Sequence, residues 1–344
     1  MTGTILRVRH LKKHYQLKKP RIFSPLPPPI RAVDDVSFDI HDGETLSLVG
    51  ESGCGKTTLG KTVMRVHAPT SGQILYTARD GKEVNLAAAS GKALKSIHRE
   101  IRMIFQDPNG SLHPRMSVRD IVGEPLRMSE GLTGRVLEDR VADLLQKVGL
   151  RPEYLNRYPH AFSGGERQRI GIARALALNP RLVVADEAVS ALDVSIQAQT
   201  LNLLADLKAE FGLTFLFIAH DLSVVRHISD KVAVMYVGRM VEVAETEALF
   251  ARPRHPYTEA LLSAVPIPDP RLRSKRRRIR LTGEVASPIR PPSGCAFHPR
   301  CRYATDICKS KVPPLREVDG GLVACHHAEE LTLGGVASIG VAAE

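Results

Sequence analysis

Residues 50–57 form the segment that most restricts what this chain can fold into and bind. They read Gly-Glu-Ser-Gly-Cys-Gly-Lys-Thr, after an apolar run and before a helical pattern that begins near Lys56. Glycines allow backbone N–H groups to surround phosphate oxygens, and a helix N-terminus attracts the same anion. Lys56 adds a positive charge for the β- and γ-phosphates, and Thr57 adds a hydroxyl ligand for Mg²⁺. The pattern predicts a nucleotide phosphate site rather than a chance glycine-rich turn. Its predicted binding residues are Gly50, Ser52, Gly53, Cys54, Gly55, Lys56, Thr57 and Thr58.

A second apolar segment ends in two acidic residues. Residues 182–185 have the pattern of a buried strand, and Asp186 and Glu187 follow it directly. A rigid strand end can present Asp186 to Mg²⁺, and Glu187 is then placed to polarise the attacking water. The alternative is that both acids cap the next helix, but a phosphate loop in the same chain favours the metal and water roles.

Segments of strand length alternate with helical patterns along most of the chain. The predicted strands are residues 5–8, 33–40, 46–49, 102–105, 182–185, 214–218 and 232–236. One predicted helix begins near residue 56, and three more span residues 137–148, 166–178 and 196–211. This alternation predicts an α/β fold around a mostly parallel sheet. Pro and Arg replace the periodic pattern after residue 265, which predicts a domain boundary there.

Composition argues against several classes of protein. Residues 1–9 lack the apolar core of a signal peptide, and no run approaches the roughly 20 apolar residues of a membrane helix. We therefore expect a cytosolic chain that reaches a membrane only through partners. Trp is absent and only 5% of residues are aromatic, which disfavours a stacking surface for single-stranded nucleic acid. Part of the net charge of +11 lies in residues 271–280, Arg-Leu-Arg-Ser-Lys-Arg-Arg-Arg-Ile-Arg. We interpret this run as a solvated linker near lipid headgroups rather than a specific binding site.

Residues 163–169 connect these motifs to a known family. They read Ser-Gly-Gly-Glu-Arg-Gln-Arg and lie between the glycine loop and Asp186. This sequence and its position resemble the signature of ABC-type ATPases. Ser163, Gly164 and Gly165 would provide a second anion-binding helix terminus. In the family, that terminus faces the γ-phosphate held by a partner subunit.

Other segments resemble the same family. Gln106, in Phe-Gln-Asp-Pro, matches the Q-loop glutamine, which senses Mg²⁺ and water and contacts the transmembrane partner. Ser-Ala-Leu-Asp, ending at Asp193, matches the D-loop at the dimer interface. His220 matches the switch histidine that binds the γ-phosphate. Tyr15 occupies the place of the aromatic ring that stacks on adenine, with Phe23 as the alternative.

The resemblance covers residues 5–265 and implies both a fold and a mechanism. Residues 1–265 would form a P-loop ABC nucleotide-binding domain with a mostly parallel core, an antiparallel β subdomain and a helical subdomain at about 107–178. Two such subunits would close on two ATP molecules. The implied catalytic residues are Lys56, Gln106, Glu187 and His220, and the implied Mg²⁺ ligands are Thr57, Gln106 and Asp186. Ala188 replaces a proline that is frequent in the family, but it carries no chemistry, so we expect full activity.

Three segments resemble the dipeptide/oligopeptide/nickel importer branch. They are residues 106–126, residues 190–199, and residues 253–262 with the cysteine-bearing tail that follows. This branch implies a heterodimer with a sister ABC ATPase, two transmembrane permease subunits and a solute-binding protein. The complex would lie at the inner membrane, with this chain peripheral on the cytoplasmic face and no nucleic acid bound. Peptides are the expected solute, and nickel, opines, glutathione or sugars are the alternatives.

Residues 266–344 form the predicted extension, a small irregular tail with Cys295, Cys301, Cys308 and Cys325. Disulfides are not expected in a chain without an export signal. Four thiolates are a usual ligand set for zinc or for an iron–sulfur cluster. The spacing lacks the paired C-x2-C of common zinc sites, and some members of the importer family hold a [4Fe-4S] cluster in such a tail. A cluster, a zinc ion and reduced thiols that pack a small tail remain three interpretations.

Other classes of function fit the sequence less well. An ABC ATPase that acts on DNA or ribosomes usually has two cassettes or a long coiled-coil insert, and this chain has neither. An exporter motor is often fused to membrane helices. A non-catalytic redox or interaction module would not need Lys56, Asp186, Glu187 and His220 together. An importer ATPase is therefore the favoured hypothesis.

Overall fold

The computed structural model describes residues 3–19, 25–190, 192–265 and 279–336. Its contacts divide the chain into two compact units. The first unit contains Met1–Leu6, Ile40–Thr45 and Leu75–Ile218, and the second contains Arg7–Asp39, Leu46–Ile74 and Ala219–Glu344. Phe23, Ala191 of the predicted D-loop and residues 271–278 of the basic run lie outside the described residues.

The predicted α/β class is confirmed by the order of strands and helices. The strands are β1 Thr4–Tyr15, β2 Ile30–His41, β3 Thr45–Val49, β4 Ser71–Thr77, β5 Glu83–Asn85, β6 Ile101–Ile104, β7 Leu182–Asp186, β8 Thr214–Ile218, β9 Lys231–Tyr236, β10 Arg239–Glu245, β11 Arg316–Val318 and β12 Gly321–Val323. The helices are α1 Lys56–Val63, α2 Gly91–Glu100, α3 Pro108–Ser111, α4 Val118–Glu130, α5 Gly134–Lys147, α6 Gly164–Leu176, α7 Val194–Phe211, α8 Leu222–Ile228, α9 Thr246–Ala251, α10 Pro256–Ser263 and, renumbered here in chain order, α11 Asp306–Ser310. Short 3₁₀ segments lie at Pro152–Asn156, Pro159–Ala161 and His298–Arg300.

In the first unit, β6, β7 and β8 run parallel, with β7 in the middle. Every residue of β7 and β8 is buried, which explains why both read as continuous apolar runs rather than alternating ones. At the end of β7, Asp186 lies opposite Ile218 of β8. Strand β5 pairs antiparallel with the end of β4. Asp186 thus lies at the carboxyl end of the middle strand, where the chain leaves the sheet as a loop.

Helices α3 to α6 pack on one another within the first unit. They occupy the part of the chain in which the family resemblance implies a helical subdomain. Helix α4 is not predicted by the sequence pattern, because it contains Pro125 and proline is unfavourable in a helix interior. Its start is fixed by Ser117, whose hydroxyl accepts a hydrogen bond from the Asp120 N–H at 3.2 Å.

In the second unit, β3 runs parallel to β9, with Val49 opposite Val234. Strand β10 pairs antiparallel with β9 on one side and with β12 on the other, and β11 pairs with β12. The C-terminal extension therefore contributes strands to the sheet of this unit, as well as irregular backbone and the short helix α11. Within the described residues, no helix is both long and apolar enough to cross a bilayer.

Candidate active site

The phosphate loop leaves the buried strand β3 and leads into α1. Gly50, Gly53 and Gly55 have φ values of +152°, +80° and +107°. A Cβ atom at Gly50 would lie 2.2 Å from the Met235 carbonyl oxygen, and one at Gly55 would lie 2.0 Å from the Ala32 carbonyl oxygen. Both the backbone conformation and the surrounding space therefore require glycine at these two positions.

Lys56 is directed into this loop. It is 5% exposed, and its Nζ donates to the carbonyl oxygens of Gly50 at 2.7 Å and Glu51 at 3.2 Å. Cys54 is 2% exposed, and burial raises the pKa of its thiol. The loop thus holds a positive charge at its centre beside a neutral, buried thiol.

The remaining predicted phosphate-site residues lie on the same loop and first turn. Ser52 and Gly53 are exposed, and Thr57 and Thr58 are half-buried. His220 lies beside the strand from which the loop leaves, because the N–H of Ala219 donates to the Leu48 carbonyl oxygen at 3.1 Å. The second unit therefore brings Lys56, Thr57 and His220 to the same end of β3.

Tyr15, at the end of β1, packs against residues near the end of α1. Its ring meets the His67 ring edge-on, with centroids 5.9 Å apart. The Lys13 Nζ lies 4.7 Å from the Tyr15 ring centroid. The ring is half-buried, so one part of it remains open to a ligand, and its role in adenine stacking stays a prediction.

In the first unit, Asp186 is the last residue of β7 and Glu187 follows it directly. Asp186 is 3% exposed. Glu187 has φ of +45°, which is uncommon for a residue other than glycine and marks a constrained position. Its N–H donates to the Ile218 carbonyl oxygen at 2.9 Å, and its carbonyl oxygen accepts from the Ser190 hydroxyl at 3.0 Å.

The Glu187 carboxylate meets the predicted Q-loop glutamine. The Gln106 side-chain amide donates to Glu187 Oε2 at 2.8 Å. Two residues predicted as catalytic from separate motifs are thus in direct contact.

The predicted signature residues begin helix α6. The Ser163 hydroxyl accepts from the Glu166 N–H at 3.3 Å, and Glu166 Oε2 accepts from the Ser163 N–H at 2.9 Å. This reciprocal capping box pairs the N–H groups of Ser163 and Glu166, and Ser163 and Gly164 are exposed. A Cβ at Gly165 would lie 2.6 Å from Ile196 Cγ2 of α7. Asp193, the N-cap of α7, is exposed as well, so α6 and α7 present both motifs on the surface of this unit.

The four C-terminal cysteines line one small cavity of about 10 Å³, together with His298, His326 and His327. All four cysteines are free thiols. Burial raises the pKa of Cys301 to about 11 and that of Cys325 to about 12, and the neighbouring thiols add to both shifts. Across the described residues, no three His, Cys, Asp or Glu side chains are grouped closely enough to hold one metal ion. This arrangement supports neither a zinc ion nor an iron–sulfur cluster in the described residues.

Two residues near the phosphate loop are not found by sequence reasoning. Arg300 forms a double ion pair with Glu51, and Tyr257 accepts a hydrogen bond from the Glu51 N–H. No local pattern marks either residue, since Arg300 is 249 positions from its partner. Their contribution is visible only in the folded chain.

Comparison with known proteins agrees with these observations. The family model for ABC transporters matches residues 33–190, and the model for the oligopeptide/dipeptide transporter C-terminal region matches residues 241–308. The oligopeptide transport ATP-binding protein AppF of Bacillus subtilis is 51% identical over 94% of this chain and 97% of its own length. The dipeptide transport ATP-binding protein DppF of Haemophilus influenzae is 49% identical, with the same coverage of 94% and 97%.

A solved structure supports the fold. The ATP-binding cassette MJ0796, in a dimeric post-hydrolysis state bound to ADP and Pi, matches with a TM-score of 0.61 and 26% identity. The match covers 70% of this chain and 99% of that one. The resemblance inferred from the motifs is confirmed: the chain belongs to the family of ABC transporter ATP-binding proteins that carry the oligopeptide/dipeptide transporter C-terminal region.

Proposed function

We propose that this chain binds and hydrolyses MgATP and that the reaction powers uptake of peptides through a membrane complex. The observation that carries the proposal is the preformed phosphate loop with Lys56 inside it. It occurs in a chain that is 51% and 49% identical to ATP-binding proteins of oligopeptide and dipeptide transport.

The phosphate loop binds the nucleotide. Its backbone N–H groups and Lys56 Nζ contact the β- and γ-phosphates, and Tyr15 stacks on the adenine. Thr57, Gln106 and Asp186 supply the hydroxyl, amide and carboxylate oxygens that suit Mg²⁺. When bound, Mg²⁺ neutralises charge that develops on the phosphate oxygens.

Glu187 activates the water that attacks the γ-phosphate. The hydrogen bond from the Gln106 amide orients the Glu187 carboxylate, which accepts the proton of the attacking water. His220 donates to the γ-phosphate from the end of the neighbouring strand. Positioning and charge stabilisation are the main tasks of a protein in phosphoryl transfer, and each of these residues performs one of them.

A sister ABC ATPase completes the second half of each site. The exposed helix terminus at Ser163, Gly164 and Gly165, with Asp193 beside it, contacts the γ-phosphate held by that partner. Two ATP molecules are enclosed when the heterodimer closes, and hydrolysis releases it. This cycle moves two transmembrane permease subunits, which receive peptide from a solute-binding protein. The chain itself lies peripherally at the cytoplasmic face of the inner membrane and needs no nucleic acid.

The importer resemblance implies that the four C-terminal cysteines would hold a [4Fe-4S] cluster, with a zinc ion or reduced thiols as the alternatives. The four sulfur donors line one cavity, and four thiolates are the ligand set of such clusters. Iron and acid-labile sulfide analysis of protein purified without oxygen tests this assignment. Replacing Cys301 with Ser would then reduce the bound iron, whereas iron-free protein with four reactive thiols would contradict it.

Capture of the tagged chain from its native membrane tests the transport function. We expect mass spectrometry to identify a sister ATPase, two multispanning subunits and a secreted binding protein. Screening that binding protein against di- and oligopeptides, nickel, opines, glutathione and sugars would identify the solute. Recovery of ribosomes or DNA-repair proteins without membrane subunits would contradict the transport role and leave the ATPase assignment intact.

A further inference from the structure

The C-terminal extension contacts the phosphate loop directly at Glu51. Arg300 Nη1 donates to Glu51 Oε2 at 2.6 Å, and Arg300 Nη2 donates to Glu51 Oε1 at 3.0 Å. The Arg300 side chain is only 7% exposed, and that of Glu51 is 26% exposed. A bidentate pair shielded from water is stronger and more directional than an exposed one. The pair therefore restrains the first variable residue of the loop.

Glu51 is tied to the same part of the molecule through its backbone. Its N–H donates to the Tyr257 hydroxyl at 2.8 Å. Its carbonyl oxygen accepts from Lys56 Nζ at 3.2 Å and from the Cys54 N–H at 3.2 Å. A displacement of Glu51 would therefore also displace Lys56, the lysine that we assign to the ATP phosphates.

Arg300 is itself held in a rigid setting. It ends the 3₁₀ segment His298–Arg300, and Phe297, immediately before that segment, is 2% exposed. The Phe297 ring centroid lies 5.3 Å from those of Tyr236 and Tyr257, and Tyr236 and Tyr257 are 4.7 Å apart. Aromatic packing of this kind fixes position as well as burying area. The guanidinium is therefore delivered to Glu51 from a preorganised support.

We propose that Arg300 is a positioning residue of the ATP site: through Glu51 it fixes the phosphate loop, so the C-terminal extension helps to set affinity for ATP. The proposal rests on the assignment of residues 50–57 to the ATP phosphates. Arg300 does not touch the nucleotide; it acts through Glu51, whose carbonyl oxygen holds Lys56.

The test compares Arg300→Met with Arg302→Met in the full-length chain. Arg302 is two residues further along and pairs with Glu259 at 3.0 Å. Arg302→Met therefore removes a charge and an ion pair from the same extension, but no contact with the phosphate loop. Binding of a fluorescent ATP analogue with Mg²⁺ gives the dissociation constant, and thermal unfolding gives stability. We expect Arg300→Met to weaken binding about tenfold, the effect of losing a charge-assisted hydrogen-bonded pair, with Arg302→Met within twofold of wild type.

Two further variants separate positioning from general support of the fold. Glu51→Gln should weaken binding to a similar extent, and the double variant no more than either single change, because both remove the same interaction. Arg300→Lys should restore part of the affinity, since a lysine keeps the charge but not the bidentate geometry. These variants also decide the matter if Arg300→Met fails to fold.

The outcomes distinguish this inference from the site assignment. A dissociation constant for Arg300→Met equal to that of Arg302→Met, even with reduced thermal stability in both, would overturn the positioning role. Wild-type affinity in Lys56→Ala would instead overturn the assignment of the loop to ATP phosphates.

Discussion

Glu187 shows how single residues in this chain are held for a chemical task. Its backbone N–H and carbonyl oxygen are bonded to Ile218 and Ser190, and its carboxylate is bonded to Gln106. The positive φ of +45° is maintained by these contacts. A carboxylate held by Gln106, on a backbone that is itself held, points in one direction, as a general base requires.

Replacing Glu187 with Gln should stop turnover while ATP remains bound. An amide cannot accept the proton of water, so we expect the rate of ATP hydrolysis by the assembled complex to fall about 10²- to 10⁴-fold. ATP affinity should stay close to that of wild type, because the phosphate loop is unchanged. Glu210→Gln, which alters an exposed acid paired with Lys147, is the matched control. Wild-type hydrolysis by Glu187→Gln would refute the assigned role.

A buried carboxyl group outside the site makes stability depend on pH. Glu242 is 1% exposed and accepts from the N–H groups of Arg254 at 2.7 Å and His255 at 3.0 Å. Burial raises its pKa from 4.5 to about 7. The folded state therefore binds a proton more tightly than the unfolded state, so the contribution of Glu242 to stability falls as pH rises from 4.5 to 7.

Glu242→Gln removes this titration. Between pH 5 and pH 8, the unfolding free energy of the variant should rise relative to wild type by about 2 kcal/mol. Urea unfolding at both pH values measures the change, with Glu317→Gln, at an exposed position of β11, as control. A wild-type-to-variant difference that is the same at both pH values would contradict this account of Glu242.

Among the elements, the phosphate loop is the most sensitive to its backbone. Gly55→Ala would place a Cβ 2.0 Å from the Ala32 carbonyl oxygen, so the loop must change shape. We expect this variant to lose ATP binding at least tenfold. Gly43→Ala is the control, because Gly43 also has positive φ, at +77°, but its Cβ would meet nothing within 4 Å. It should cost about 1 kcal/mol of stability and leave ATP affinity unchanged; equal affinity in both variants would contradict the constraint at Gly55.

The elements predicted from sequence are those whose pattern is local. The strands that became β3, β7 and β8 are fully buried and bounded by turns, so their apolar runs identify them. Helix α4 was missed because Pro125 interrupts its pattern, and tertiary packing outweighs that cost. Strand β12 was missed because it has only three residues and depends on its pairing with β10.

The same distinction holds for the site. Lys56 is predicted because a strand, a glycine-rich loop and a helix follow one another along the chain there. Asp186 and Glu187 are predicted because they directly follow an apolar strand. Arg300 and Tyr257 were not predicted, since they meet Glu51 only after residues more than 200 positions apart come together. Long-range contacts leave no periodic signal in a single sequence.

At the scale of the whole molecule, the exposed N-termini of α6 and α7 form the surface that we propose a sister ATPase covers. Ser163, Gly164 and Asp193 are exposed, and Val194 beside them is 84% exposed. Exposed helix termini next to an apolar side chain suit a surface that another subunit covers. The heterodimer proposal therefore predicts effects of Ser163 in the complex that are absent from the isolated chain.

Ser163→Asp tests that surface. Aspartate is as good an N-cap as serine, so α6 should persist, but its charge opposes a γ-phosphate. We expect hydrolysis by the assembled complex to fall at least tenfold, with ATP affinity of the isolated chain unchanged. Ser90→Asp, at the exposed N-cap of α2, is the control. Equal hydrolysis by complexes with either change would contradict the role of the α6 terminus in the partner's site.

The most direct test of the central claim is uptake of labelled peptide by vesicles that contain the purified complex, with ATP on the side of this chain. We expect uptake to require ATP, the binding protein and the wild-type chain. Glu187→Gln should abolish uptake although the complex still assembles. Peptide uptake at the wild-type rate with Glu187→Gln would contradict the claim that hydrolysis by this chain powers transport.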